Sequence, residues 1–202
     1  VEDFGSGIDP TEFEKIYTTY FYSTKTSSNT EVGCFGLGSK SPFAYTQQFT
    51  VENSFGGIKY TYTCFINENG EPSVTLLTQS PTDKSGVKVS FPVKRDDYYK
   101  FQNAIQNVLQ WFDITPKCNI SIQNHSFSEK TKQFSYSDVP YEYGIRMGQV
   151  VYPVENKYFE DFLPSSTIIN VDIGDVDITP SRESLEYRKK TVDVLEKLNA
   201  EF

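Results

Sequence analysis

Clustered glycines restrict this chain more than any other feature. They occur in Asp3-Phe4-Gly5-Ser6-Gly7 and again in Gly33-Cys34-Phe35-Gly36-Leu37-Gly38-Ser39-Lys40-Ser41. Glycine lets a backbone turn tightly, or come close to another group, where a Cβ would obstruct it. In the first motif an Asp at the end of an apolar strand is followed by two alternating glycines. Its carboxylate can accept a hydrogen bond from an exocyclic amine of the kind adenine presents. Alone, such a turn can simply reverse the chain. The second motif sets three glycines directly before a helix start, whose free N–H groups and partial positive charge suit a phosphate. Its order matches neither the dinucleotide fingerprint nor the Walker loop. No βαβ unit with an acidic strand tip follows, and the four-residue spacing before Gly-Lys is absent.

Around these motifs the pattern predicts an α+β chain. Asp9-Pro10-Thr11-Glu12 reads as a cap and first turn, opening a helix over 9–20. The Ser-, Thr- and Asn-rich stretch Phe21 to Val32, with Lys25 at its centre, reads as an exposed loop of a length that suits a lid. A short helix from Ser39 to about Gln47 precedes alternating segments at Phe49 to Asn53, Ile58 to Ile66, Ser73 to Thr78 and Val87 to Val93. Turn-forming residues between them predict an antiparallel meander. Phe101, Ala104, Ile105, Val108, Leu109 and Phe112 line one face of a helix over Arg95 to Phe112, which closes a first domain. Thr115-Pro116 then breaks the pattern, so two domains are expected, 1–115 and 116–202. Strands follow at Asn119 to Gln123, Gln149 to Tyr152 and Thr167 to Asp172. Leu185, Val192, Leu195 and Leu198 predict an amphipathic helix over Arg182 to Phe202.

Composition narrows the classes. The 27 acidic and 19 basic residues of the 202 give a net charge of -8, which argues against direct nucleic-acid binding. With 16 Phe and 14 Tyr, many in alternating runs, the chain has the apolar surface a folded core needs. Cys34, Cys64 and Cys118 are odd in number and too widely spaced for a zinc ribbon, which fits a reducing cytosol. His125, among polar neighbours, is given no role. No apolar run approaches a membrane span, and the start lacks the order of a signal peptide. Val1-Glu2-Asp3 has neither an initiator Met nor the usual run-up to a domain, so a fragment is expected.

The paired glycine motifs, the polar loop between them and the antiparallel sheet after them together resemble the GHKL superfamily of ATP-binding proteins. That superfamily includes gyrases, ninety-kilodalton heat-shock chaperones and histidine kinases. The resemblance covers Glu2 to about Val93 and implies an α/β sandwich followed by a transducer-like or middle-domain-like second domain. It implies ATP and Mg2+ as cofactors. Asp3 would hold the adenine amine, and Gly5, Gly7 and Ile8 would shape the purine pocket. Gly33, Phe35, Gly36, Leu37 and Gly38 would close around the phosphates. Lys25 would be either a phosphate contact from the lid or a solvated loop lysine. The Gly-Thr pair that opens a late strand in the superfamily is here Gly86-Val87, so a hydroxyl near the adenine is missing. The superfamily's helix with a catalytic Glu and a magnesium-binding Asn would precede Val1. Hydrolysis by this polypeptide alone is therefore expected to be poor, with the magnesium site mostly outside it.

In the second domain, Asp177-Ile178-Thr179-Pro180-Ser181-Arg182-Glu183-Ser184-Leu185 is similar to the Ser-Arg-Glu helix start of the chaperones' middle domain. That makes Arg182 a candidate γ-phosphate sensor. The competing reading has Ser181 capping the helix and Arg182 solvated. The wording of Phe35 to Tyr45 and of Ile178 to Glu183 resembles the RIIA-type proteins of tailed bacteriophages, protectors against prophage-induced early lysis. This implies a protein of the host cytoplasm, with peripheral membrane association in the parent, a RIIB-type partner and homodimer formation. Three functions follow as alternatives: a nucleotide-dependent conformational switch, a chaperone-like or topoisomerase-like ATPase, and a protein-interaction scaffold that has kept the fold without the nucleotide.

Overall fold

The computed structural model describes residues 1–22, 36–112, 114–124, 127–130, 134–137, 144–158, 167–179 and 184–200. The chain divides into two compact units, Val1–Lys94 and Arg95–Phe202. Helix Tyr98–Leu109, expected to close the first domain, falls in the second of these.

In the first unit, helix α1 (Pro10–Thr18) begins where the sequence places its cap. Asp9 Oδ1 accepts from Thr11 N at 2.9 Å and from Thr11 Oγ1 at 2.7 Å. These bonds, the hydroxyl's first, hold the Asp9 carboxyl below its ordinary value. Pro10 lies where a backbone N–H has no partner to lose. Phe13 and Tyr17, one turn apart, are the buried pair of the helix.

Beneath it lies a sheet of β1 (Gln48–Phe55), β2 (Ile58–Ile66), β3 (Pro72–Pro81) and β4 (Gly86–Ser90), in the order β3-β2-β1-β4. The β1–β2 turn uses Gly56 and Gly57 at φ +60 and +80, the double left-handed geometry of a two-residue hairpin. Only β1 to β3 form the expected meander, because β4 pairs with the far edge of β1. Thr82 N donates to the Gly57 carbonyl at 3.0 Å, which carries the chain around the hairpin tip toward that edge. Val1 to Asp3 then extend the sheet beyond β4. Val89 N donates to Val1 O at 2.8 Å, Asp3 N donates to Val87 O at 2.9 Å, and Glu2 bridges Lys88.

Alternation gives this sheet two different faces. Phe49, Val51 and Asn53 point to α1 and join Phe13, Tyr17, Tyr62 and Cys64 in the core. The Phe13 and Tyr62 rings stack with centroids 3.8 Å apart. On the opposite face Glu52 lies between Lys88 at 2.8 Å and Lys59 at 3.5 Å. Water screens these half-exposed pairs, so each contributes little.

Two helix expectations are corrected by backbone chemistry. Gly38–Ala44 is a 3-10 helix that stops short of Gln47. Pro42 inside it has no N–H to continue an α-helical ladder, and both Tyr45 N and Thr46 N turn back to the Pro42 carbonyl. At the other end of the chain, helix α3 (Lys189–Ala200) begins well after Arg182. Glu186 N donates to Asp177 O, Thr179 N donates to Ser184 O, and Ile178 bridges Leu185. That antiparallel pairing occupies the backbone the helix would need. Ser181, the expected cap, lies outside the described residues.

The second unit opens with a 3-10 turn, Arg95–Asp97, and α2 (Tyr98–Leu109). Its sheet has β5 (Phe127–Lys130), β6 (Phe134–Ser137), β7 (Gly144–Met147), β8 (Val150–Pro153) and β9 (Thr167–Val171) in the order β5-β6-β9-β7-β8. Only β7 and β9 pair in parallel. Ile145, Met147, Tyr152 and Ile169 form a core with Leu195 and Leu198 of α3. The strand expected over Asn119 to Gln123 is not formed. The Gln106 side chain of α2 meets the Gln123 backbone instead, with Nε2 donating to its carbonyl at 2.7 Å and Oε1 accepting from its N–H at 3.0 Å.

Burial pushes the Cys64 thiol up to about 12, whereas Cys118 is exposed. Iodoacetamide at pH 8 is expected to label Cys118 in the native chain and to spare Cys64 until denaturant is added, as read by mass spectrometry. Because the folded thiol is the weaker acid, its contribution to stability is complete below the unfolded value near 9. It is lost as pH rises from there toward about 12.

Candidate functional site

The first glycine motif is held at both ends. At its start, Asp3 pairs with β4 through Val87, and Asp3 Oδ1 accepts from Gly5 N at 2.9 Å. At its finish, Ile8 N donates to Asn53 Oδ1 at 2.9 Å and Asn53 Nδ2 donates to Ile8 O at 2.7 Å. Val87 and Asn53 are register partners. The turn therefore leaves the sheet on one side of Val87 and lands on the other. Asp3 opposes Val87, so alternation turns its side chain to the face that carries α1. Consistent with that, the Tyr17 hydroxyl is a weaker acid than usual, first through burial and then through the nearby charges of Cys64 and Asp3.

Two glycines make this approach possible. Gly7 has φ +77, and a Cβ on it would stand 2.3 Å from the Ser54 carbonyl oxygen. Gly86 has φ +116, and a Cβ there would stand 2.1 Å from the Asp3 carbonyl oxygen. Gly5 differs, since a Cβ would meet only Asp3 Oδ1 at 3.1 Å.

The second motif packs on the same face. Ser39 Oγ donates to the Ile16 carbonyl of α1 at 2.7 Å, and the Phe43 ring meets Phe49 of β1 edge-on at 4.8 Å. Gly36 has φ +59, and a Cβ there would stand 2.1 Å from the Tyr22 carbonyl oxygen. Tyr22 and Gly36 thus stand in contact. Beside Gly38 no described atom lies within 4 Å of where a Cβ would be. Tyr22 donates its hydroxyl to the Glu12 carboxylate, a bond that makes it a weaker acid. Lys25, Gly33 and Phe35 lie outside the described residues, as does Arg182.

Lys40, to which the sequence reading gave no role, is 4% exposed. Its Nζ donates to the Gly36 carbonyl at 2.7 Å, and burial lowers its proton affinity. A short 3-10 turn aligns few peptide dipoles, so the fixed positive charge at this bend is the Lys40 ammonium. A lysine directly after Gly38-Ser39 was visible in the sequence, but its burial was not. Asn53 was missed as well. Its signal was a polar residue in the inward row Phe49, Val51, Asn53, because a buried amide has to be hydrogen-bonded.

A hollow of about 290 Å³ touches Asp3, Gly86 and Val87, and Lys84 reaches it from the loop before β4, but the rest of its charged wall is Glu2, Glu52, Lys59 and Lys88. By alternation those four stand on the face away from α1, and Gly36, Leu37 and Gly38 are not among its lining. It therefore opens mainly on the face away from α1, with the Asp3 end of the first motif at its border. For a magnesium ion, no group of three or more His, Cys, Asp or Glu among the described residues could hold a metal. For a nucleotide the described residues offer the Asp3 carboxylate, the glycine approaches and the Lys40 ammonium.

No family model matches the chain, and no curated protein matches it. Among solved structures it is similar to the ATPase region of Saccharomyces cerevisiae topoisomerase II, with a TM-score of 0.53, 13% identity, and 97% of this chain and 72% of that one covered. The same region bound to ICRF-187 (dexrazoxane) gives a TM-score of 0.55, 13% identity, and 95% and 69% coverage. The chain has the mixed α/β fold of that ATPase region, which matches it across nearly its whole length.

Gly7→Ala is expected to cost about 1–3 kcal/mol in denaturant unfolding, since a side chain at that φ is strained and its Cβ meets backbone. Gly5→Ala is expected to cost well under half as much in the same measurement.

Proposed function

We propose that the chain is an ATP-binding domain of GHKL type whose role is that of a nucleotide-dependent conformational switch. The observation that carries this reading is the placement of Asp3 and the Gly36–Lys40 bend on one face of one sheet. An acceptor for an amine and a buried cation for phosphate then flank the same helix. The likeness to the topoisomerase II ATPase region supports the fold that such a site requires.

Asp3 Oδ1 is engaged by Gly5 N, which leaves Oδ2 to accept from an exocyclic amine. Gly7 and Gly86 let the turn close onto β1 and β4, which sets where Asp3 stands, and Gly36 and Gly38 would lie at the phosphates, with Gly33 and Lys25 in the stretch between. Lys40 would exchange the Gly36 carbonyl for a phosphate oxygen, an anionic partner that a buried ammonium prefers. Arg182 would sense the γ-phosphate from the second unit. ATP binds with Mg2+ in this reading, and the ion's ligands come from outside the described residues.

The finer reading is a RIIA-type phage protein that protects against prophage-induced early lysis in the host cytoplasm, as a homodimer or with a RIIB-type partner. It rests on the wording of the Phe35 to Tyr45 and Ile178 to Glu183 segments. No described helix is long and apolar enough to cross a membrane. Peripheral association of the parent with the inner membrane belongs to this finer reading.

Titration with a fluorescent ATP analogue tests the site. The chain is expected to bind it, and Asp3→Asn is expected to lower affinity by about a hundredfold, since a carboxylate acceptor becomes a mixed donor and acceptor. Unchanged affinity in Asp3→Asn would remove the adenine contact from this account. No binding by the unaltered chain would favour the scaffold. Steady phosphate release would favour the ATPase over the switch.

A further inference from the structure

We infer that Asn53 is a positioning residue for the purine end of the site, and that it sets the preference for adenine over guanine without touching the base. The inference rests on the nucleotide reading above. Asn53 is fully buried in a row whose other members, Phe49 and Val51, are apolar. Its carboxamide behaves as one more peptide group, with Oδ1 accepting from Ile8 N at 2.9 Å and Nδ2 donating to Ile8 O at 2.7 Å. Both polar ends are thereby used on a single residue, 45 positions away in the chain. A side chain that pairs so completely with one backbone unit fixes where that unit stands.

The unit it fixes is the landing point of the first glycine motif. Asp3, Val87 and Asn53 lie in one row across neighbouring strands, and the turn from Asp3 to Ile8 spans that row. Its launch is fixed by the Asp3 bond to Val87, and its landing by Asn53 alone among the described hydrogen bonds of Ile8. Val87 beneath the span carries no hydroxyl and cannot add a polar tether. Gly7, one residue before the landing, is already pressed against Ser54, and its missing Cβ would stand 3.2 Å from Asn53 Oδ1. With Asn53 removed, the finish of the turn comes free while its start stays paired. The Asp3 carboxylate, tied to Gly5 within the same turn, then loses its fixed aim. Aim is what discriminates an amine from a carbonyl at the purine edge, because a carboxylate accepts from one and repels the other.

The test compares the full chain with Asn53→Leu, which keeps the volume and removes both bonds, and with Asn53→Ser, a smaller substitution that packs more gently. Amide exchange at Ile8 is followed by NMR, and affinities for ATP and GTP are measured separately. In either variant that retains its cooperative melt, Ile8 exchange is expected to rise about tenfold or more with Val51 exchange unchanged. ATP affinity is expected to fall by about tenfold, with GTP affinity nearly constant, so the preference collapses. Equal losses for both nucleotides, with exchange rising throughout the sheet, would reduce Asn53 to a packing residue and overturn the inference. Retained affinity and preference would overturn it too. If the unaltered chain binds neither nucleotide, the nucleotide reading fails by itself. Ile8 exchange then decides the tether, and unchanged exchange overturns that as well.

Discussion

The packing of Phe13 and Tyr17 onto the inward row of β1 and β2 is the contact on which the rest of the first unit depends. It fixes α1 on one face of the sheet, and both glycine motifs are attached to α1. One leads directly into its first turn through Ile8 and Asp9, and the other hangs from its last turn through Ser39 and the Ile16 carbonyl. Aromatic stacking of Phe13 on both Tyr17 and Tyr62 gives the helix a defined seat rather than a greasy one. The two motifs are thus positioned by a core that is aromatic and aliphatic apart from Asn53 and Cys64.

Against that apolar seat, the polar groups on the same face are few, and each is individually satisfied. Asn53 is matched to Ile8, Lys40 to Gly36, and Asp3 to Gly5. Asn53 and Lys40 are buried, where an unmatched group would be costly, so a ligand can engage Lys40 only by offering a better partner than the one it displaces, whereas Asp3 is exposed. Phosphate does so for a buried ammonium, and an exocyclic amine does so for a carboxylate oxygen still free to accept. On the opposite face of the sheet Glu52 is already paired with both Lys59 and Lys88, and all three are partly exposed.

Much of the first unit was legible in the sequence. Asp9-Pro10-Thr11 announced a helix start because the cap is a local hydrogen bond. The alternation at Phe49 to Asn53 and Ile58 to Ile66 announced strands because a pleat turns successive residues to opposite faces. What local pattern could not carry was pairing. β4 joined β1 instead of β3, and Asn119 to Gln123 found a glutamine of α2 in place of a neighbouring strand. The short strands β5, β6 and β7 escaped notice because a few residues carry too little periodicity to stand out. Ile178 to Leu185 deceived for a related reason, since a helix-like spacing extended across a backbone whose hydrogen bonds were spent on antiparallel pairing.

By itself the sequence determined where the chain could bend and what it could offer a ligand. Glycine's missing Cβ and the acidity of an aspartate are properties of residues and need no neighbours. The tertiary structure decided which bends face each other and which polar groups lose their water. Only the folded sheet brings Gly86 under Asp3, Gly36 against Tyr22 and Asn53 beneath Ile8, across separations along the chain that no periodicity spans. Burial is likewise collective. Lys40 and Asn53 are buried polar groups only in the folded unit, where Gly36 and Ile8 give them their partners.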